Sequence, residues 1–98
     1  MEVDFDDADL SQLETDAKFT GGFPPEAVRG FRKALQAVRA AIDERDLRNG
    51  GMRMEKLKGA MSGLFSIRLN KQWRLILRIE KALSGGNKAV LLRIEDYH

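Results

Sequence analysis

The side chains that could do chemistry in this 98-residue chain are arginine, lysine, tyrosine, carboxylate and one histidine. Cysteine is absent and the single histidine is His98. A disulfide framework, a thiolate nucleophile and a multi-histidine metal site are therefore excluded. The sequence has no P-loop, no dinucleotide fingerprint, no carboxylates at metal-ligand spacing and no nucleophile elbow. What remains suits the cleavage of RNA, which carries its own nucleophile in the 2′-OH. The protein has only to position the chain, help remove the 2′ proton, neutralise the phosphate and protonate the leaving 5′ oxygen. No metal or other cofactor is expected for such a reaction.

Arg74 and Lys58 suit the phosphate role. Arginine offers a rigid fork of donors and a permanent charge, whereas lysine is a point charge that burial can retune. His98 suits proton transfer, because imidazole titrates near neutrality. Tyr97 can stack on a base or donate a hydrogen bond, and Asp96 can orient a neighbour or act as a base if its pKa is raised. Lys56, Arg68, Gln72, Arg78 and Arg93 are expected to contact RNA around them. Taken singly, each has a plain structural explanation: a solvated arginine, a frayed terminal histidine, a tyrosine at the core's edge.

The elements that must position these residues follow from periodicity. Residues 2–6 alternate acid and apolar, as a short strand does. A helix is expected from about Asp7 or Asp9, with Leu10, Leu13 and Ala17 on one face, ended by Thr20-Gly21-Gly22-Phe23. Pro24-Pro25 opens a second helix, whose apolar stripe is Val28, Phe31, Leu35, Val38 and Ile42. Beyond Asn49-Gly50-Gly51 the period becomes two. Strands are expected within 53–58, 64–70, 72–80 and 88–96, the last two joined by the turn Ser84-Gly85-Gly86-Asn87. Phe65, Ile67 and Leu69, then Trp73, Leu75, Leu77 and Ile79, then Val90, Leu92 and Ile94 are assigned to the apolar face. Short links make these strands antiparallel. The expectation is one α+β domain over residues 1–98, a helical hairpin packed on one face of a small, mainly antiparallel sheet.

The other sheet face should then be exposed and cationic, with Arg68, Arg74, Arg78 and Arg93, and with Lys56 and Lys58 beside them. Charge is segregated along the chain. Residues 1–16 hold seven acids and no base, whereas residues 51–78 hold seven bases against Glu55 alone. This fits an anion-binding surface in the C-terminal half. Strand parity separates Tyr97, which follows Arg93, from Asp96 and His98, so a bulge or a frayed strand end is needed to gather all three. The acidic start has neither a basic nor an apolar segment, so a signal peptide is not expected. With no membrane-length apolar run, a cytoplasmic location is expected.

Three stretches resemble the HigB branch of the RelE/ParE toxin superfamily. They are Leu57-Lys58-Gly59, the run Gly63-Leu64-Phe65-Ser66-Ile67-Arg68-Leu69 leading into Gln72-Trp73-Arg74-Leu75, and Glu95-Asp96-Tyr97-His98. Their order and spacing match across roughly residues 50–98. The resemblance implies a bacterial type II toxin with the RelE-like fold, which cuts mRNA in the ribosomal A site without a metal. It implies neutralisation by a cognate helix-turn-helix antitoxin of the HigA kind. The family's catalytic lysine falls on Lys58, its phosphate-binding arginine on Arg74, and its acid, tyrosine and histidine on Asp96, Tyr97 and His98. Members often carry a histidine three residues before the lysine, where this chain has Glu55, and an asparagine before the Trp-Arg pair, where it has Gln72. Two alternatives remain open at this point: a ParE-like inhibitor of DNA gyrase, and a non-catalytic module that binds nucleic acid.

Overall fold

The computed structural model describes residues 1–96; Tyr97 and His98 lie outside the described residues. The chain begins with strand β1, Glu2–Phe5, followed by helix α1, Ala8–Thr15. The side chain of Asp7 caps α1 by accepting from the Asp9 N–H at 2.8 Å, satisfying a donor that the first helical turn leaves open. Helix α2, Pro25–Ala40, starts at the expected prolines and buries Val28, Phe31, Leu35 and Val38. A short helix α3, Glu44–Asn49, then leads to strands β2, Glu55–Lys56, β3, Phe65–Arg68, β4, Trp73–Lys81, and β5, Asn87–Asp96.

The strands form one sheet in the order β1-β5-β4-β3-β2. β1 runs parallel to β5, and the other pairings are antiparallel. The core brings Leu10 and Leu13 of α1, the stripe of α2 and Leu47 of α3 together with Ile67, Leu75, Leu77, Ala89, Leu91 and Ile94 of the sheet. The helical hairpin on a mainly antiparallel sheet is thus observed, with a parallel edge strand. No helix among the described residues is long and apolar enough to cross a membrane.

Several local expectations are corrected. Ala17 lies beyond α1 and is exposed. Ile42 is 83% exposed, because α2 ends at Ala40 and the chain turns into α3, which periodicity did not reveal. Asp43 and Asp46 build the cap of α3: Asp43 accepts from the Arg45 N–H at 2.9 Å and Asp46 accepts from the Ile42 N–H at 2.7 Å. The strand expected within 53–58 shrinks to Glu55–Lys56.

The largest correction lies in β5. Leu77 pairs with Leu91, but the next residue back, Ile76, pairs with Arg93, so Leu92 is an extra residue in β5. Such a β-bulge shifts the side-chain alternation by one. Ala89 and Leu91 therefore face the helices before the bulge and Ile94 faces them after it, whereas Val90 stands outside that core. The single alternation Val90, Leu92, Ile94 does not hold.

Two contacts seat the helices on the β3–β4 end of the sheet. A Cβ added to Gly30 of α2 would lie 2.5 Å from the carbonyl oxygen of Leu69, so the helix approaches the turn as closely as glycine permits. Phe23, in the loop before α2, meets the Trp73 ring edge-on, with centroids 5.6 Å apart. Arg32 of α2 fastens that loop. Its Nε donates to the carbonyl of Leu13 at 3.0 Å, and its Nη2 donates to those of Asp16, Ala17 and Phe19 at 3.1, 3.4 and 3.3 Å.

Candidate RNA-binding face and catalytic site

The turn between β3 and β4 sets where Arg74 stands. Asn70 Oδ1 accepts from the backbone N–H of Gln72 at 2.9 Å and of Trp73 at 2.8 Å, a side chain standing in for a turn's backbone acceptor. The Leu69 N–H donates to the Trp73 carbonyl at 2.9 Å and closes the turn. Trp73 then packs against the helix-side core. With a strand period of two, Arg74 must project from the opposite face. The Trp-Arg dipeptide thus joins a residue anchored in the core to one directed to the other face.

Directly opposed residues of antiparallel strands share a face, so register gives the layout of that surface. One row runs Arg68, Arg74, Glu95. The next runs Glu55, Ser66, Ile76, Arg93. Farther along, Arg78 stands opposite Val90, and Val90 beside Asp4 of β1. The expected group of Arg68, Arg74, Arg78 and Arg93 therefore shares one face. That face is less uniformly basic than the charge count implies. Arg78 Nε donates to Glu80 at 3.0 Å, and Lys88 Nζ pairs with Asp4 at 3.0 Å and Glu80 at 3.4 Å. Ile76 and Val90 on this face are buried, so its centre is apolar.

Arg68 and Arg74 are like charges placed directly opposite each other, an arrangement that is destabilising unless an anion joins it. Glu95 supplies one inside the protein. Its Oε1 accepts from Arg74 Nε at 2.9 Å and Nη2 at 2.6 Å, and its Oε2 accepts from Arg93 Nε at 3.0 Å. Burial pushes the Glu95 carboxyl up, but the hydrogen bonds from Arg74 and Arg93, with the charges behind them, bring it below its ordinary value. Sequence reasoning missed Glu95 as a site residue. Its neighbour Asp96 drew the attention, and only the β5 bulge puts Glu95 in line with Arg74.

The other expected residues are placed as follows. Asp96 pairs in register with Trp73, so it belongs to the opposite alternation from Arg74. The bulge precedes Arg93 and does not bring Asp96 onto the arginine face. Asp96 is exposed and accepts from Gln72 Nε2 at 3.1 Å, which joins these two residues at the end of the sheet. Lys56 pairs with Phe65, which assigns it to the helix-side alternation at the edge of the sheet. Lys58 is exposed past the end of β2, where the 3-10 turn Gly59–Met61 begins. Tyr97 and His98 lie outside the described residues.

Glu55 occupies the open face. With Gly51, Met52, Arg53, Ser66 and Arg68 it lines an open depression of about 450 Å³ beside the Arg68–Arg74 pair. Arg53 contributes a left-handed backbone, with φ of 49°. Among the described residues no group of three or more histidine, cysteine, aspartate or glutamate side chains could hold a metal ion.

A family model described as the RelE-like toxin of type II toxin-antitoxin system HigB matches residues 3–98. The chain belongs to this HigB family. Toxin HigB-1 of Vibrio cholerae is 38% identical over 79 residues, which is 80% of this chain and 83% of that protein. Endoribonuclease HigB of Proteus vulgaris is 30% identical over 79 residues, 81% of this chain and 80% of that one. Among solved structures, the YoeB/ParE toxin from Agrobacterium tumefaciens superposes with a TM-score of 0.60 at 18% identity, covering 100% of both chains. The YoeB-YefM complex from Staphylococcus aureus contains a chain that matches with a TM-score of 0.61 at 18% identity, over 100% of this chain and 97% of that one. At this identity the structural matches establish a shared fold, so the HigB assignment rests on the sequence matches. In this HigB-family chain the matched segment includes the arginine row, the Gln72–Asp96 contact and the depression beside Glu55.

Proposed function

We propose that residues 1–98 form a single toxin domain that acts as a metal-independent endoribonuclease, cleaving mRNA in the ribosomal A site in the cytoplasm. The cross-strand register that puts Arg68 opposite Arg74 carries this reading, because guanidinium forks gathered on one sheet face suit the oxygens of a phosphate. The name of the Proteus vulgaris relative, Endoribonuclease HigB, supports the same activity. A helix-turn-helix antitoxin of the HigA kind is proposed as the neutralising partner. The family description, a toxin of a type II toxin-antitoxin system, supports an antitoxin partner in general, and a chain of this fold also occurs in a YoeB-YefM toxin-antitoxin complex from Staphylococcus aureus.

In this reading Arg74 neutralises the charge that builds on the scissile phosphate, and Arg68 shares that charge. Lys58 reaches the phosphate from beyond β2. Asp96, held by Gln72, works with Tyr97 and His98 on proton transfer to and from the 2′ and 5′ oxygens. Arg78 and Arg93 extend the track for neighbouring phosphates along the open face, and Lys56 meets RNA from the sheet edge. Glu55 lies beside Arg68 and is a further carboxylate available for the 2′ proton.

The test is cleavage of a defined mRNA on purified, programmed ribosomes, mapped by primer extension. Wild type should cut within the A-site codon. Arg74→Ala should slow cutting by about 10²–10³-fold, as loss of a transition-state donor does, while the melting curve stays cooperative. Intact mRNA with wild type, or inhibited DNA supercoiling by gyrase instead, would overturn the reading. Full activity in Arg74→Ala would remove Arg74 from the site.

A further inference from the structure

Glu95 is an acid on the face proposed to bind a polyanion, and offsetting the charge of Arg68 and Arg74 does not by itself explain its geometry. It lies in the same cross-strand row as Arg68 and Arg74 and touches Arg74 and Arg93. The Arg74 and Glu95 side chains are 22% and 25% exposed, whereas Arg78 and Glu80 on the same face are 45% and 39% exposed. Exposed pairs on long side chains hold neither partner in one geometry. A shielded carboxylate oxygen that accepts from both Nε and Nη2 of one guanidinium restricts the direction in which that guanidinium points. The bulge at Leu92 adds a second reason to regard the contact as built. Were Leu92 paired with Ile76 in an unbroken ladder, Ile94 would stand across from Arg74 and Glu95 would join the core-facing alternation.

We infer that Glu95 is a positioning residue that holds the Arg74 guanidinium in its working orientation, and that it does so at the expense of RNA affinity. This rests on Arg74 being the phosphate ligand proposed above. The physical logic has two parts of opposite sign. A carboxylate beside a phosphate site repels the incoming anion and cancels part of the charge on two arginines, which weakens binding. A guanidinium already oriented needs no reordering when charge develops in the transition state, which speeds the chemical step. A residue that only supports the fold does not produce the opposition between the two.

The experiment separates binding from chemistry in Glu95→Gln and Glu95→Ala. Glutamine keeps the Oε1 acceptor and the shape but loses the charge, and alanine loses all three. Affinity is read with an mRNA oligonucleotide made cleavage-resistant by 2′-O-methylation, across a salt series. Cleavage is read as single-turnover rate on programmed ribosomes, and folding by thermal melting. Both variants should bind the oligonucleotide about 3–10-fold tighter at low salt, with a steeper salt dependence, because the face gains net positive charge. Glu95→Ala should cleave at least about tenfold more slowly than wild type once bound, with Glu95→Gln between them. Unchanged or weaker binding in both variants would overturn the inference, as would a wild-type cleavage rate in Glu95→Ala. If alanine prevents folding, the isosteric glutamine variant decides by the same two readouts. An Arg74→Ala control keeps the two failures apart. If it is inactive while Glu95→Ala is fully active, the positioning role falls and the phosphate role of Arg74 stands. If it is fully active, the site reading falls first.

Discussion

Replacing Gly30 by alanine should destabilise the protein, although alanine is the better helix former. In a helix interior the exchange by itself is favourable by about 1 kcal/mol. At Gly30 the new Cβ would stand 2.5 Å from the Leu69 carbonyl oxygen and 3.0 Å from its carbonyl carbon. A carbon and a carbonyl oxygen approach comfortably to about 3.3 Å, so α2 and the β3–β4 turn must part by roughly 0.8 Å. The oxygen belongs to the backbone, and the turn is closed by the Leu69 N–H to Trp73 bond and by the Asn70 side chain, so neither side yields by a rotamer change. Overpacking of this kind costs about 1–3 kcal/mol. The net loss is then about 1 kcal/mol, or a melting temperature lower by about 4–8 °C for a domain of this size. Thermal unfolding followed by circular dichroism measures it, with Gly86→Ala as a control, since a Cβ there meets nothing within 4 Å. Truncating Leu69 to alanine in the same chain should bring no rescue, because the obstructing oxygen and Cβ remain. A melting temperature at or above that of wild type for Gly30→Ala would refute the reasoning, showing that propensity outweighs the contact.

Arg32→Ala removes donors from the carbonyls of Leu13, Asp16, Ala17 and Phe19. It should cost about 1–3 kcal/mol in urea unfolding, limited by the water that reaches the more exposed carbonyls. At Arg53, where φ is 49°, glycine should be more stable than alanine by about 1 kcal/mol, because only glycine adopts the left-handed region without a Cβ penalty; equal stability would show that the strain is absent. Glu95 has a folded pKa below its unfolded value, so its contribution is present above the unfolded pKa of about 4.3 and is lost as pH falls through the folded value. Glu95→Gln should therefore show a shallower loss of stability on acidification below about pH 4.3 than wild type, measured by melting temperature against pH.

How much of the site was legible in the sequence depends on the range of the interaction involved. The common face of Arg68 and Arg74 was legible because each position follows from alternation within its own strand, and a short closed turn fixes their pairing. The Asp43 cap of α3 was present as acids three apart, but the helix is too short for an apolar stripe to announce it. Val90 and Leu92 were assigned to the helix-side face because local alternation assumes an unbroken ladder, and one extra residue breaks it.

The helical hairpin, the change from a period of 3.6 to a period of two, and the class of surface that results are all local properties of the chain. These are written in the spacing of apolar residues, which decides which side of an element avoids water. The place of the Leu92 bulge, the parallel pairing of β1 with β5, and the position of Glu95 rather than Asp96 across from Arg74 come from the assembled fold. Each depends on register between segments distant in the chain. Register is settled by the packing of Ala89, Leu91 and Ile94 under the helices together, which no single segment specifies.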